Sequence, residues 1–119
     1  MRVAIATLGC KVNQYDSAVI DRMVAEKGWR TVDFDDVADA YVVNTCTVTD
    51  HADGDARKLA RKARRINPGS RVILTGCYAQ TSPEEIARLE YVDYVIGLGR
   101  LPELLRAVEG ELVERVAVS

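Results

Sequence analysis

Cys10, Cys46 and Cys77 are the three cysteines of a 119-residue chain, and each closes a short apolar run: ATLGCK, VVNTCT and ILTGCY. Thiolates are soft ligands suited to zinc, copper(I) or iron–sulfur clusters. An odd number of cysteines, 36 and 31 residues apart, fits neither a disulfide framework nor the closely paired cysteines of structural zinc. His51, the single histidine, is the residue that could complete a zinc site. A 4Fe–4S cluster on three thiolates leaves one iron without a protein sulfur and open to a small molecule. The plainer alternative is that each thiol packs as a small apolar group. Three of them in like positions favour the ligand reading.

The elements that would position these thiols follow from hydrophobic patterning. RVAIATL (2–8), AYVVNT (40–45) and RVILTG (71–76) are short, continuous apolar runs and predict buried strands. WRTVDF is more polar and predicts an edge strand; VDYVIG (92–97) predicts the last clear one. A helix is predicted over 14–27, with Ala18, Val19, Met23 and Val24 inward, then a long one to Ile66. Asn67-Pro68-Gly69 breaks that helix. Ser82-Pro83-Glu84-Glu85 reads as a capped helix start ending near Leu89, and 102–108 as a closing helix. ELVERVAVS (111–119) reads as a strand or the start of a linker.

Strand then helix, about five times over, predicts an α/β fold: a mostly parallel, doubly wound sheet with helices on both faces, flavodoxin-like. Each cysteine then lies just past the carboxyl end of a strand. In a parallel sheet those ends share one edge, where open α/β sheets bind ligands.

Length and composition allow one domain. A net charge of −2 argues against a general polyanion binder. No apolar stretch approaches the roughly 20 residues of a membrane span, so no membrane partner is expected. MRVAIATLGC reads as a first strand rather than an export signal, and the cytoplasm is the expected compartment. GLGR (97–100) lacks the full dinucleotide fingerprint and reads as a turn.

TLGCKVNQYDS, NTCTVTDHAD and TGCYAQ closely resemble the three signature segments of the amino-terminal domain of the tRNA methylthiotransferases, radical S-adenosylmethionine enzymes. The resemblance covers about residues 1–110, leaving 111–119 as a linker or the start of another domain. It implies that Cys10, Cys46 and Cys77 ligate an auxiliary 4Fe–4S cluster whose open iron carries the sulfur that is transferred. KVNQYDS and TCTVT look most like the branch acting on N6-threonylcarbamoyladenosine beside the tRNA anticodon. The isopentenyladenosine branch more often has a QMN-type first motif, and the ribosomal-protein branch has proline and lysine after the first cysteine. The family's catalytic domain binds S-adenosylmethionine and a second 4Fe–4S cluster through three closely spaced cysteines, which this chain lacks. The resemblance therefore implies a radical S-adenosylmethionine domain as partner, the tRNA anticodon region as substrate, and no methylthiolation by these residues alone. Two alternatives stand beside it: a zinc-ordered binding module, or a metal-free α/β domain serving an interface.

Asn13, Gln14, Asn44 and Gln80 flank the thiols, and their amides could donate hydrogen bonds to cluster sulfides. Asn13 reads equally as a helix cap, and Asp16 and Ser17 as ordinary first-turn residues. Gly9 and Gly76 read either as strand ends or as room for a bulky group. Arg57, Lys58, Arg61, Lys62, Arg64 and Arg65 fall on one face of the long helix, roughly 160° wide at 100° per residue, as a candidate contact for tRNA phosphates. The plain alternative is a solvated face.

Overall fold

The computed structural model describes residues 1–8, 11–45, 50–97, 100–111 and 116–117, with the backbone alone at 11–17, 50–53, 77, 101 and 117. Six strands appear among the described residues: β1 (Arg2–Leu8), β2 (Arg30–Val32), β3 (Ala40–Thr45), β4 (Arg71–Gly76), β5 (Tyr94–Ile96) and β6 (Val116–Ala117). They form one sheet in the order β2-β1-β3-β4-β5-β6, and every pairing is parallel. The expected doubly wound α/β architecture is thus present. The order reverses direction between β1 and β3, where the two halves of the sheet diverge.

Helices α1 (Lys11–Glu26) and α5 (Leu101–Glu109) cover one face. Ile20, Val24, Leu104, Ala107 and Val108 pack there on Val3, Val42 and Ile73. Helices α2 (Asp50–Ile66), α3 (Cys77–Thr81) and α4 (Pro83–Ala87) cover the other. There Ala56, Ala60, Ala63, Tyr78 and Ile86 pack on Ala4, Tyr41, Val43 and Leu74. Small residues on the inner side of α2 let that helix lie close to the sheet.

Two aspartates clip the sheet at its amino-terminal end. Asp39, just before β3, donates its N–H to the Arg2 carbonyl at 2.9 Å and accepts the Arg2 N–H on Oδ2 at 2.8 Å. Asp93, just before β5, does the same to Val72, with 2.8 Å in each direction. Arg64 also pairs with Asp93, and donates to the carbonyls of Pro68 and Ser70 at 2.9 Å each. Each clip joins a strand to its spatial neighbour through both a backbone and a side-chain bond, and so resists slippage.

Several elements differ from the sequence reading. Strand then helix occurs four times, because β2 passes to β3 through residues 33–39 without a helix. Tyr41 organises that link: its hydroxyl donates to the Asp36 carbonyl at 2.6 Å and accepts the Ala38 N–H at 3.0 Å, while Phe34 packs edge-on against its ring. In β1 only Val3 and Ala4 are buried; Ile5 to Leu8 are half-buried. The inner face of α1 is built from Ile20 and Val24, with Ala18 exposed, since the helix is rotated from the expected setting. The helix starts at Lys11, so Asn13 stands inside its first turn rather than before it, and Asp16 and Ser17 fall in the second. Ser82 occupies the cap position of α4 but makes no side-chain capping bond. Its carbonyl instead accepts the Ile86 N–H at 3.2 Å.

The clips differ in burial, and the difference sets their value. Asp93 is partly buried and ion-paired, whereas Asp39 is exposed. Asp93→Ala is expected to lower stability by about 2 kcal/mol, the range for hydrogen bonds to charged groups. Asp39→Ala is expected to cost less than half as much because water competes for its bonds. Urea midpoints of the two variants check the order.

Candidate thiol edge

The register of the three central strands brings their carboxyl ends into one row. Leu8 of β1 pairs with Thr45 of β3, and Thr45 pairs with Gly76 of β4. Neighbouring strands lie about 4.8 Å apart, so the row spans roughly 10 Å. Cys46 follows Thr45 and Cys77 follows Gly76 by one residue, and Cys10 follows Leu8 by two. Gly9, Cys10 and Cys46 lie outside the described residues; Cys77 opens α3.

The β3–β4 side of the row is tightly built. Gly76 has φ 96° and ψ −158°, a conformation essentially confined to glycine. A Cβ placed there would lie 2.0 Å from the Thr45 carbonyl oxygen and 2.8 Å from Asn44 Oδ1. The glycine is required by the approach of the β3 backbone, and neither sequence reading of it anticipated that contact. Past this reversal, the Tyr78 N–H donates to Thr45 Oγ1 at 3.2 Å. Thus the residue before Cys46 is bonded to the residue after Cys77. Thr45 and Tyr78 are fully buried, and Asn44 nearly so. A five-residue helix is too short to show a periodicity, so α3 left no signal in the sequence.

The far end of Tyr78 is held as firmly. Its hydroxyl accepts from Arg57 Nη1 at 2.9 Å and donates to Glu85 Oε2 at 3.4 Å, joining α2, α3 and α4. The hydrogen bond to Tyr78, opposed by burial and reinforced by the charge of Glu85, raises the pKa of the Arg57 guanidinium above its ordinary value. Arg57 is therefore a structural cation, which the sequence reading placed among candidate RNA contacts. The signal for this was weak: Arg57, Tyr78 and Glu85 are distant in sequence and the topology alone brings them together.

Of the remaining expected site residues, Asn13 and Gln14 lie in the first turn of α1 by backbone, and Gln80 is half-buried on α3. His51 is the second residue of α2. The segment 97–100 is only partly described and gives no further test of the turn reading. Among the described residues, no helix is long and apolar enough to cross a membrane.

The described residues define a class: a small α/β domain with an all-parallel, doubly wound sheet, in which the ends of three adjacent strands are each followed within two residues by a cysteine. The chain belongs to the uncharacterized protein family UPF0004, whose model matches residues 2–97. It is 46% identical over 115 residues to the threonylcarbamoyladenosine tRNA methylthiotransferase MtaB of Aquifex aeolicus, covering 97% of this chain and 28% of that protein. It is 43% identical over 117 residues to the protein of the same name from Bacillus subtilis, covering 98% of this chain and 26% of that one. To the ribosomal protein uS12 methylthiotransferase RimO of Chloroflexus aurantiacus it is 34% identical over 113 residues, 94% of this chain and 25% of that protein. The chain thus spans about a quarter of the length of these curated relatives.

Gly76→Ala is expected to destabilise the fold by more than about 3 kcal/mol, since unfavourable backbone torsion adds to a clash with main-chain atoms. Gly28→Ala supplies the contrast: its φ is +81° but nothing lies within 4 Å, so the expected cost is about 1–2 kcal/mol. Chemical denaturation of both variants separates torsion from contact.

Proposed function

We propose that this chain is the sulfur-supplying, iron–sulfur domain of a tRNA methylthiotransferase acting on N6-threonylcarbamoyladenosine. The reading is supported above all by the register of Leu8, Thr45 and Gly76, neighbours at the ends of three adjacent strands, which Cys10, Cys46 and Cys77 follow by one or two residues. Three soft donors with no nearby fourth cysteine suit a cluster better than a closed zinc site. The branch is favoured by 46% and 43% identity to two enzymes of that name, against 34% to a ribosomal-protein methylthiotransferase.

In this reading Cys10, Cys46 and Cys77 hold the group. When bound, a 4Fe–4S cluster on three thiolates offers one iron without a protein ligand as the coordination site for the sulfur to be transferred. The chain's own task is to hold those thiolates still. Thr45 Oγ1 and the Gly76 backbone tie the residue before Cys46 to the residue after Cys77. Asn13, Gln14, Asn44 and Gln80 supply amide donors for the sulfides. Cleavage of S-adenosylmethionine, on a second cluster, falls to a radical S-adenosylmethionine domain of the same enzyme. These 119 residues are inactive without it. The compartment that fits tRNA modification is the cytoplasm.

Anaerobic reconstitution with iron and sulfide tests the reading. About four irons and four sulfides per chain are expected, with a visible charge-transfer band and a paramagnetic reduced state. Each of Cys10→Ala, Cys46→Ala and Cys77→Ala should lose most of that iron. Colourless zinc uptake on the same thiols would instead establish the zinc-ordered module.

A further inference from the structure

The six cations of α2 do not share one role. Arg57 is committed to Tyr78 and Arg64 to Asp93, both on the flank of the helix that meets α3 and β5. Lys62 pairs with Asp35 of the link between β2 and β3. Lys58 and Arg65 are exposed and form no ion pair among the described residues, and the Arg61 guanidinium lies 5.4 Å from the centre of the Tyr91 ring. At about 100° per residue, positions 58, 61 and 65 fall within an arc of roughly 60°.

These three cations border a groove of about 560 Å³ between α2 and the end of β1. Leu8 and Leu59 give it apolar surface, and Asp55 is the acid among its described lining residues. The groove lies where a doubly wound fold normally carries a crossover helix, here replaced by residues 33–39. Its consequence is measurable on the strands. On this face Ala6 and Leu8 are half-buried, while their β3 partners Val43 and Thr45 are fully buried.

We propose that this groove seats an RNA strand, with phosphates on Lys58 and Arg65, Arg61 at the rim, and a ribose or base on Leu8 and Leu59. The inference deepens the reading above, since it rests on RNA being the substrate. Charge complementarity selects the occupant: a chain of net charge −2 gathers unpaired cations along one short stripe. Lys58 and Arg65 are seven residues apart, about 10.5 Å along the helix axis at 1.5 Å per residue. At that separation the two side chains meet different phosphates of one strand rather than the same one. Apolar surface between the cations suits the alternation of phosphate and ring in a nucleic acid better than the uniform polarity of an acidic peptide. Leu8 also begins the row shared with Thr45 and Gly76. An RNA strand in the groove is therefore led to the thiol edge.

The test is fluorescence-anisotropy titration of the 119-residue chain with a labelled RNA stem–loop at several salt concentrations. Lys58→Ala/Arg65→Ala should weaken binding and flatten the slope of log K against log salt by about 1.4, at roughly 0.7 per single-strand phosphate contact. Arg22→Ala, an exposed cation of α1 on the opposite face, should leave both unchanged. A slope that ignores Lys58 and Arg65, an equal loss in Arg22→Ala, no RNA binding by the unaltered chain, or displacement of the RNA by a poly-glutamate peptide at equal concentration would each overturn the proposal. Iron uptake in the same samples separates the two readings. Iron bound normally with an unaltered slope sinks the groove alone; RNA bound through Lys58 and Arg65 with no iron on any thiol sinks the cluster reading alone.

Discussion

The setting of β3 constrains everything around it. All six of its residues are buried, with Tyr41 and Val43 in the core beneath α2 and Ala40 and Val42 in the core beneath α1 and α5. A slip by one residue would exchange these sets and drive the Tyr41 ring into the opposite layer. It would also break the bonds by which the Tyr41 hydroxyl holds the helix-free link before it. With β3 fixed, β1 and β4 are fixed against it, and the alignment of Leu8, Thr45 and Gly76 at the far end follows. The thiol edge is thus specified by packing several residues away from it.

The two sides of that edge are built differently. Between β3 and β4 the backbones meet so closely that only glycine fits, and a buried threonine bonds across the gap. Between β1 and β3 the face is open among the described residues, because β2 pairs only as far as Ala4 and the link 33–39 carries no helix. The ends of β3 and β4 are pre-set, while the end of β1 stands beside an accessible groove. This asymmetry suits a site that must hold a ligand on one side and admit a substrate from the other. Of the large buried side chains, Tyr41, Ile73, Leu74 and Ile86 stand away from the edge, and Tyr78 lies in the helix that starts at it. A core supplied mostly by elements away from the edge is expected to fold without a ligand, unlike a zinc finger.

What the sequence disclosed depended on the range of the interaction. β3 and β4 were legible to the residue, because continuous apolar runs bounded by polar residues mark strands buried on both faces. The edge position of β2 was legible from its polarity. The inner face of α1 was not: with Ala18, Val19, Ile20, Met23 and Val24 all available, periodicity alone admits more than one rotation, and packing on Val3 and Val42 decides it. The Gly76 contact was hidden because its cause is a carbonyl on another strand. For the same reason six cations on one helix looked equivalent, although their partners Asp35, Tyr78 and Asp93 lie in three distant segments.

Helix α2 shows how one element can serve both packing and charge. Ala56, Ala60 and Ala63 on its inner side are fully buried and bring the helix axis close to β3 and β4. Longer residues there would lift the helix and carry its flanks away from the sheet. Held low, the flank bearing Arg57 and Arg64 reaches Tyr78 and Asp93, so those two cations are spent on joining α2 to its neighbours. The other flank overlooks the end of β1, with Asp35 and Asp55 beside its cations among the described residues. No crossover helix stands between β2 and β3 at that spot, which residues 33–39 span instead. The omission that exposes Leu8 also leaves Lys58 and Arg65 facing solvent, which puts apolar and cationic surface side by side at the mouth of the thiol edge.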